Sequence, residues 1–241
     1  MRALAKDWDR HVVHAEEVAR GGGFRQLRDT ILERARPAAE DRVLDIGSGT
    51  GLLTLAVAPK VAHVWALDIS PAMGDYLATK ARSAGADNVE TVVASAVSLP
   101  LVDDSVDLVV SNYCLHHLSD PDKICALSEI RRVLTPDGRL AMGDMMFRVS
   151  LADSRDRRVF KAKVRAMLQK GPAGVLRLAR NAARLLTGRW ETPARADWWE
   201  DALEQAGFVE ARVETMSHEG GVATARKPAD ASRLEVAPVI T

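Results

Sequence analysis

A glycine-rich turn and the carboxylate that follows it carry most of the chemical information in this chain. Residues 43–51 read VLDIGSGTG, and Asp68 comes seventeen positions after Gly51. Glycines at 47, 49 and 51 let the backbone pass close to a ligand in conformations that a Cβ would forbid. A carboxylate at the end of the next strand is placed to accept hydrogen bonds from ribose hydroxyls. The pattern therefore predicts a pocket for an adenosine-containing ligand.

The spacing of the glycines argues against a dinucleotide as that ligand. The dinucleotide fingerprint is G-x-G-x-x-G/A, and the sixth position counted from Gly47 or Gly49 is Leu52 or Thr54. Asp45, expected at the lip of the pocket, would repel a pyrophosphate and attract a cation. A ligand with an ammonium group, a sulfonium and a ribose meets these demands, so S-adenosylmethionine is the predicted cofactor. A nucleotide-dependent oxidoreductase is the weaker alternative.

Four landmarks in sequence order extend this interpretation along the chain. They are VLDIGSGTG at 43–51, ALDIS at 66–70, SLPLVDDSVDLVVSNYCLHHL at 98–118 and EIRRVLTPDGRLAMGD at 129–144. With them the chain resembles the class I S-adenosylmethionine-dependent methyltransferases, in particular the small-molecule group that includes the ubiquinone/menaquinone methyltransferases. The resemblance covers residues 38–227 and implies a small-molecule or lipid-like acceptor. A non-catalytic module that only binds the cofactor for regulation is the alternative from another functional class.

The resemblance also implies which residues hold the cofactor. These are Asp45, Gly47, Ser48, Gly49, Gly51, Asp68, Ile69, Ser95, Ala96 and Asn112. The sequence departs from the family at Ser95, where an aspartate commonly faces the adenine amino group. A serine hydroxyl can still accept a hydrogen bond there, although more weakly than a carboxylate.

The candidate catalytic residues follow the fourth and fifth predicted strands. Methyl transfer from a sulfonium depends mainly on positioning, and a general base is needed chiefly when the acceptor is a hydroxyl, a thiol or an acidic carbon. His116, His117 and Asp144 are the candidates, because all three are expected at the carboxyl edge of the sheet. The alternatives are that the histidines only order their loop and that Asp144 caps a turn.

Alternation of strands and helices through the middle of the chain predicts the fold class. The alternation implies a parallel sheet with right-handed crossovers, and the resemblance implies an α/β fold with a Rossmann-like seven-stranded methyltransferase sheet, a C-terminal antiparallel hairpin, helices on both faces and a helical lid. The predicted strands are 43–46, 61–67, 88–94, 106–111 and 139–144, followed by a hairpin of 208–216 and 221–225. Thr135-Pro136-Asp137-Gly138 is predicted to be a turn before the fifth strand. The predicted units are an N-terminal helical cap (1–37), a cofactor-binding core (38–147), a helical lid insertion (148–193), the rest of the core (194–227) and a tail (228–241).

Composition narrows the partners and the compartment. The two cysteines lack the spacing of a metal site, so no metal is expected and a reducing, cytoplasmic location is favoured. Residues 155–195 contain twelve Lys and Arg against two acids. This basic segment is either a solvated helical surface, a lid for an anionic acceptor, or a peripheral contact with an anionic membrane. Nucleic acid is not favoured as a partner, because the segment lacks aromatic residues interleaved with its cations for base stacking.

Overall fold

Seven strands and the helices between them alternate as the sequence predicts. The protein is represented here by a computed structural model that describes residues 8–19, 21–147, 153–169, 171–186 and 192–229. The strands are β1 (Arg42–Ile46), β2 (His63–Asp68), β3 (Val89–Val93), β4 (Val106–Asn112), β5 (Leu134–Met145), β6 (Val209–Thr215) and β7 (Gly220–Arg226). The helices are α1 (Val12–Ala19), α2 (Gly22–Ala35), α3 (Thr54–Val57), α4 (Pro71–Ser83), α5 (Asp120–Val133), α6 (Ser154–Leu168), α7 (Pro172–Leu186) and α8 (Ala196–Gln205). Short 3-10 turns occur at Asp9–His11, Ala58–Lys60 and Leu115–His117.

The seven strands form one mixed sheet whose order confirms the predicted fold class. The order is β3-β2-β1-β4-β5-β7-β6. Strands β1 to β5 run parallel, and β7 runs antiparallel to both β5 and β6. The winding of the chain reverses between β1 and β4, which pair with each other at the centre. In open α/β sheets, ligands bind outside the carboxyl ends of the strands at this kind of switch point.

Burial on both faces of the sheet explains the apolar run in β1. Leu44 and Ile46 enter a core that includes Trp199 of α8, whereas Val43 enters the opposite core with Leu27 of α2. Helices therefore cover both faces, as expected for parallel strands that are apolar throughout. The Rossmann-like arrangement holds the ends of β1, β2 and β4 at fixed positions.

One local prediction was wrong in detail. Strand β5 begins at Leu134, directly after α5, so the Thr135–Gly138 run is an excursion within the strand rather than a turn before it. Leu134 pairs with Val106 while Arg139 already pairs with Leu108, which leaves the intervening residues unpaired with β4. The excursion arises because the fully buried Leu134 joins the sheet before the turn residues.

The basic insertion is helical, as predicted, and its first helix is fastened to the sheet. Arg155 of α6 donates hydrogen bonds of 2.7 to 3.0 Å to the backbone carbonyls of Met146, His218 and Gly220. Residues 148–152 and 187–191 of the predicted lid, and 230–241 of the predicted tail, lie outside the described residues. Within the described ranges, no helix is both long enough and apolar enough to cross a bilayer.

Candidate cofactor and catalytic site

The three positions of the turn after β1 have glycine for different structural reasons. All have positive φ, at +70° for Gly47, +49° for Gly49 and +87° for Gly51. A Cβ on Gly47 would lie 2.2 Å from Cys114 Sγ, and one on Gly51 would lie 2.3 Å from Leu77 Cδ1. Around Gly49 the nearest atom to such a Cβ is a backbone oxygen at 4.0 Å. Gly47 and Gly51 therefore allow close packing, whereas Gly49 leaves space where a ligand can approach the backbone.

Asp68, at the end of β2, is joined to the turn directly. Its Oδ2 accepts a hydrogen bond from Gly49 N–H at 2.9 Å, and its Oδ1 accepts one from Ser70 N–H at 2.9 Å. Burial raises the pKa of Asp68, and these backbone donors oppose the rise. Each carboxylate oxygen keeps further acceptor capacity, so Asp68 can shape the turn and still bind hydroxyl groups of a ligand.

Asp45 lies deeper than the sequence suggested. It is 1% exposed, beneath the turn and not at the lip of the pocket, because β1 carries it between β2 and β4. Thr54 Oγ1 donates a 2.5 Å hydrogen bond to Asp45 Oδ2. Burial raises the pKa of Asp45 to about 7, although the Thr54 hydrogen bond opposes this rise. The Asp45 carboxylate must therefore attract a cation from below the turn. Direct contact between Asp45 and the cofactor stays a prediction.

Two buried polar atoms at the switch point have no partner in the described part of the chain. They are Ser48 Oγ, in the turn after β1, and Asn112 Oδ1, at the end of β4. Buried polar atoms in folded proteins are nearly always hydrogen-bonded. A polar ligand at the carboxyl ends of β1 and β4 would supply these partners. The predicted S-adenosylmethionine site therefore fits the residues present.

The residues predicted to lie beside the adenine follow β2 and β3. Ile69 is a large apolar side chain with 57% exposure, which suits contact with a planar ring. Ala96 is nearly buried, and Ser95 Oγ accepts a weak 3.4 Å hydrogen bond from Val97 N–H. The hydroxyl of Ser95 is thus partly engaged within its own loop, and its role toward adenine stays a prediction.

His116 and Asp144 are hydrogen-bonded to each other, and the ring of His117 lies beside that of His116, with centroids 3.9 Å apart. His116 Nδ1 lies 2.5 Å from Asp144 Oδ1, and His116 N–H donates to Asp144 Oδ2 at 2.8 Å. Both side chains are buried, with Asp144 at 1% exposure. His117 is exposed, and its ring packs on Trp8 with centroids 4.7 Å apart. The pair can therefore act as an oriented imidazole–carboxylate unit, with the ring of His117 packed against that of His116.

A buried lysine that sequence reasoning missed supports the His116 turn. Lys123 of α5 has no exposed surface, whereas its neighbour Ile124 is 36% exposed. Lys123 Nζ donates to Thr192 O at 2.6 Å and to Asp120 Oδ1 at 2.7 Å. Thr192 N–H in turn donates to His116 O at 3.0 Å. The segment that returns from the insertion is thus bonded to the turn that carries His116.

The N-terminal segment reaches across the cofactor side of the sheet. Asp9 accepts hydrogen bonds from Ser70 Oγ at 2.5 Å and from Ala72 N–H at 3.3 Å, at the start of α4. Lys80 Nζ bonds both Glu16, at 2.8 Å, and the Thr50 carbonyl, at 3.1 Å. These contacts connect the 3-10 turn at Asp9–His11 and α1 to the glycine turn and to α4.

Comparison with known proteins agrees with this geometry. Residues 43–138 match the family described as methyltransferase domain. The chain is 39% identical over 114 residues to the uncharacterized methyltransferase YcgJ of Bacillus subtilis, covering 47% of this chain and 44% of that protein. It is 41% identical over 126 residues to the ubiquinone/menaquinone biosynthesis C-methyltransferase UbiE of Vibrio vulnificus, covering 49% and 47%. The chain thus spans about half the length of the curated relatives it matches.

A solved structure supports the fold over most of the chain. The crystal structure of a SAM dependent methyltransferase from Aquifex aeolicus aligns with a TM-score of 0.63 at 22% identity, over 90% of this chain and 98% of that one. Together with the family match, this confirms the resemblance inferred from the motifs. Residues 43–138 thus match a methyltransferase domain, and the chain shares the fold of this solved SAM dependent methyltransferase.

Proposed function

We propose that this protein transfers a methyl group from S-adenosylmethionine to a small-molecule acceptor. The proposal rests on the observation that the predicted cofactor site and the candidate catalytic pair lie at the same edge of the sheet. The glycine turn with Asp68 lies there beside the buried His116–Asp144 pair. A module that only bound the cofactor would not require an oriented imidazole at that place. The regulatory alternative is therefore less favoured.

The cofactor would be held by residues from four strand ends. Asp68 would accept hydrogen bonds from the ribose hydroxyls, and Gly49 would admit the ligand close to the backbone. Ser48 Oγ and Asn112 Oδ1 would bond its polar amino-acid end. The adenine would lie beside Ile69, with Ser95 and Ala96 at its edge. When bound, S-adenosylmethionine supplies an electrophilic methyl group on a positively charged sulfur.

His116 would serve as the general base of the reaction. Asp144 accepts a hydrogen bond from Nδ1–H of the neutral imidazole, so Nε2 is the nitrogen that takes up a proton. The carboxylate also stabilises the imidazolium that forms, as in other imidazole–carboxylate pairs. A proton from a hydroxyl or from an acidic carbon of the acceptor would pass to His116. These two acceptor types are therefore favoured over an amine.

Relatives support a quinone-type acceptor within this class. The Vibrio vulnificus protein is named as a C-methyltransferase of ubiquinone and menaquinone biosynthesis. Methylation at a ring carbon next to a hydroxyl is made easier when a base removes the hydroxyl proton. We therefore propose a ring compound with a hydroxyl or carbonyl oxygen as the acceptor, in the cytoplasm or at its membrane surface.

The outer surface of the insertion is proposed to contact an anionic membrane. Phe160, Leu168, Val175 and Leu176 are 40 to 55% exposed on α6 and α7. The exposed cations of the same two helices are Arg157, Arg158, Lys161, Arg165, Arg177 and Arg180. Exposed apolar side chains next to cations suit a surface of anionic lipid. Co-sedimentation with phosphatidylserine vesicles at low salt tests this contact. Recovery of the protein in the supernatant, as with phosphatidylcholine vesicles, would contradict it.

Two experiments test the methyl-transfer proposal. Calorimetric titration with S-adenosylmethionine and S-adenosylhomocysteine should show binding of both, with dissociation constants in the micromolar range. Incubation of the protein with cell extract and a donor carrying an isotopically labelled methyl group should produce a labelled small molecule, detected by mass spectrometry. His116→Ala is the matched control, expected to bind the donor and to lose the labelled product. Failure of the wild-type protein to bind either compound would refute the proposal.

A further inference from the structure

Two consecutive residues of the N-terminal segment contact loops on both sides of the glycine turn. The ring of Trp8 packs on the ring of His117, in the turn after β4, with centroids 4.7 Å apart. Asp9 accepts hydrogen bonds from Ser70 Oγ and Ala72 N–H, which follow β2. In the sheet, β2 and β4 are the two neighbours of β1. Trp8 and Asp9 therefore cross the carboxyl end of β1.

The spacing of the strands sets the length of this crossing. Neighbouring strands lie about 4.8 Å apart, so the ends of β2 and β4 are separated by about 10 Å across β1. Consecutive Cα atoms are about 3.8 Å apart, and the indole side chain of Trp8 spans the remaining distance. The segment therefore passes over the strand end that continues into residues 47–51, the turn that is predicted to hold the cofactor.

A second attachment ties the same segment to the glycine turn itself. Lys80 Nζ of α4 donates hydrogen bonds to Glu16 of α1 at 2.8 Å and to the Thr50 carbonyl at 3.1 Å. Only 16% of the Glu16 side chain is exposed, so solvent screens this ion pair less than a pair on the open surface. Residues 8–16, here called the strap, are thus fastened at two places around the predicted cofactor site.

The strap also brings a second carboxylate close to the predicted ribose site. Burial raises the pKa of Asp68, and the nearby Asp9 carboxylate raises it further. Repulsion between these like charges opposes docking of the strap. Hydroxyl groups of a ligand that donate to Asp68 stabilise its charged form and lessen this repulsion. Binding of the cofactor and docking of the strap should therefore favour each other.

We propose that the strap is a cover over the cofactor pocket, which must detach before the cofactor enters or leaves. This inference rests on the proposed function and specifies how the donor site is closed. Detachment of a short segment costs less free energy than opening of the sheet beneath it. The docked Trp8 also packs on His117, whose ring lies 3.9 Å from that of His116, so the cover extends to the proposed general base.

Stopped-flow measurement of S-adenosylhomocysteine binding to the full chain, followed by tryptophan fluorescence, tests the cover. Asp9→Ala removes the acceptor of Ser70 Oγ and Ala72 N–H, and Lys80→Met removes the link between α1 and the turn. Each variant should raise the association and dissociation rate constants together by about tenfold, because a weaker strap is detached more often in the free and in the bound protein. The dissociation constant, which is their ratio, should stay nearly unchanged. Asp9→Asn keeps an acceptor for both donors and should keep the slow wild-type rates.

Matched substitutions at exposed positions control for general effects. Asp75→Ala and Lys60→Met remove a carboxylate and an ammonium group of the same kinds and should keep the wild-type rate constants.

Hydrogen exchange measures detachment of the strap separately. S-adenosylhomocysteine should slow the exchange of backbone amides in α1 of the wild-type protein, and less so in Asp9→Ala. Wild-type rate constants in both Asp9→Ala and Lys80→Met, a rise in the dissociation rate constant alone, or unchanged exchange in α1 on binding would overturn the cover. Binding with unaltered rate constants leaves the methyl-transfer proposal intact, whereas absence of binding removes both proposals.

Discussion

Replacement of Asp45 by asparagine separates the effect of the Asp45 charge on the stability of the fold from its effect on cofactor binding. Asparagine has nearly the same shape and can still accept the hydrogen bond from Thr54 Oγ1. It removes only the ionisable group from a position that is 1% exposed. The variant should therefore be more stable than the wild-type protein at alkaline pH and a poorer binder of a cationic cofactor.

The size of the stability effect follows from the pKa. Burial raises the pKa of Asp45 from 3.8 to about 7. At about 1.4 kcal/mol for each pH unit, ionising the buried carboxyl costs up to about 4 kcal/mol. Between pH 3.8 and 7 the folded protein holds a proton that the unfolded chain has lost, so its stability falls as pH rises through this window. Asp45→Asn should remove that fall, with its largest gain above pH 7.

Ionisation of Asp45, which lowers the stability of the fold, should raise the affinity for the cofactor. A cationic cofactor favours the ionised form of Asp45, so wild-type affinity should rise with pH through the same pKa. For a pKa near 7, the ionised fraction increases about tenfold from pH 6 to pH 8. Affinity for S-adenosylmethionine should increase by up to the same factor. In Asp45→Asn it should be weaker at pH 8 and nearly independent of pH.

Urea unfolding and calorimetric titration at pH 6, 7 and 8 measure the two effects. Asp75→Asn, on an exposed position of α4, is the control and should behave like the wild-type protein. The reasoning is refuted if Asp45→Asn shows the wild-type dependence of affinity on pH. It is refuted equally if the variant is less stable than the wild-type protein at pH 8.

Three further substitutions test separate parts of the site. Asp68→Ala should weaken S-adenosylhomocysteine binding by about 1–3 kcal/mol, because ribose hydroxyls and turn amides lose their acceptor; unchanged affinity in calorimetry would contradict this placement. Gly51→Ala should lower the free energy of unfolding by about 1–3 kcal/mol, since its Cβ would lie 2.3 Å from Leu77 Cδ1 at a φ of +87°; an unchanged urea midpoint would show that the turn can shift. Lys123→Met should shift the proton NMR signal of His116 Nδ1–H, because Thr192, which bonds the His116 carbonyl, loses its hydrogen bond from Lys123. An unaltered signal would exclude Lys123 as support for that turn.

The features predicted from the sequence are those that local patterns determine. Apolar runs of strand length, the glycine turn and the spacing to Asp68 follow from the geometry of one strand–turn–helix–strand unit. The seven-stranded methyltransferase sheet followed from the family resemblance, and the observed strand order agrees with it. The start of α4 is also local, because Ser70 Oγ accepts a hydrogen bond from Met73 N–H as the N-cap and Pro71 follows in the first turn.

The features that escaped prediction depend on contacts between distant parts of the chain. Lys123 is buried because Thr192, 69 positions later, offers a carbonyl to its ammonium group. Asp45 is buried because strands on both sides cover it, which the local motif does not reveal. No spacing rule within one segment indicates such pairs.

A crystal structure of the protein with S-adenosylhomocysteine would test the central claim most directly. We predict that both ribose hydroxyls lie within hydrogen-bonding distance of Asp68, and that the amino-acid end lies against Gly49 and bonds Ser48 and Asn112. A ligand bound away from the ends of β1 and β2, or one whose ribose makes no contact with Asp68, would contradict it.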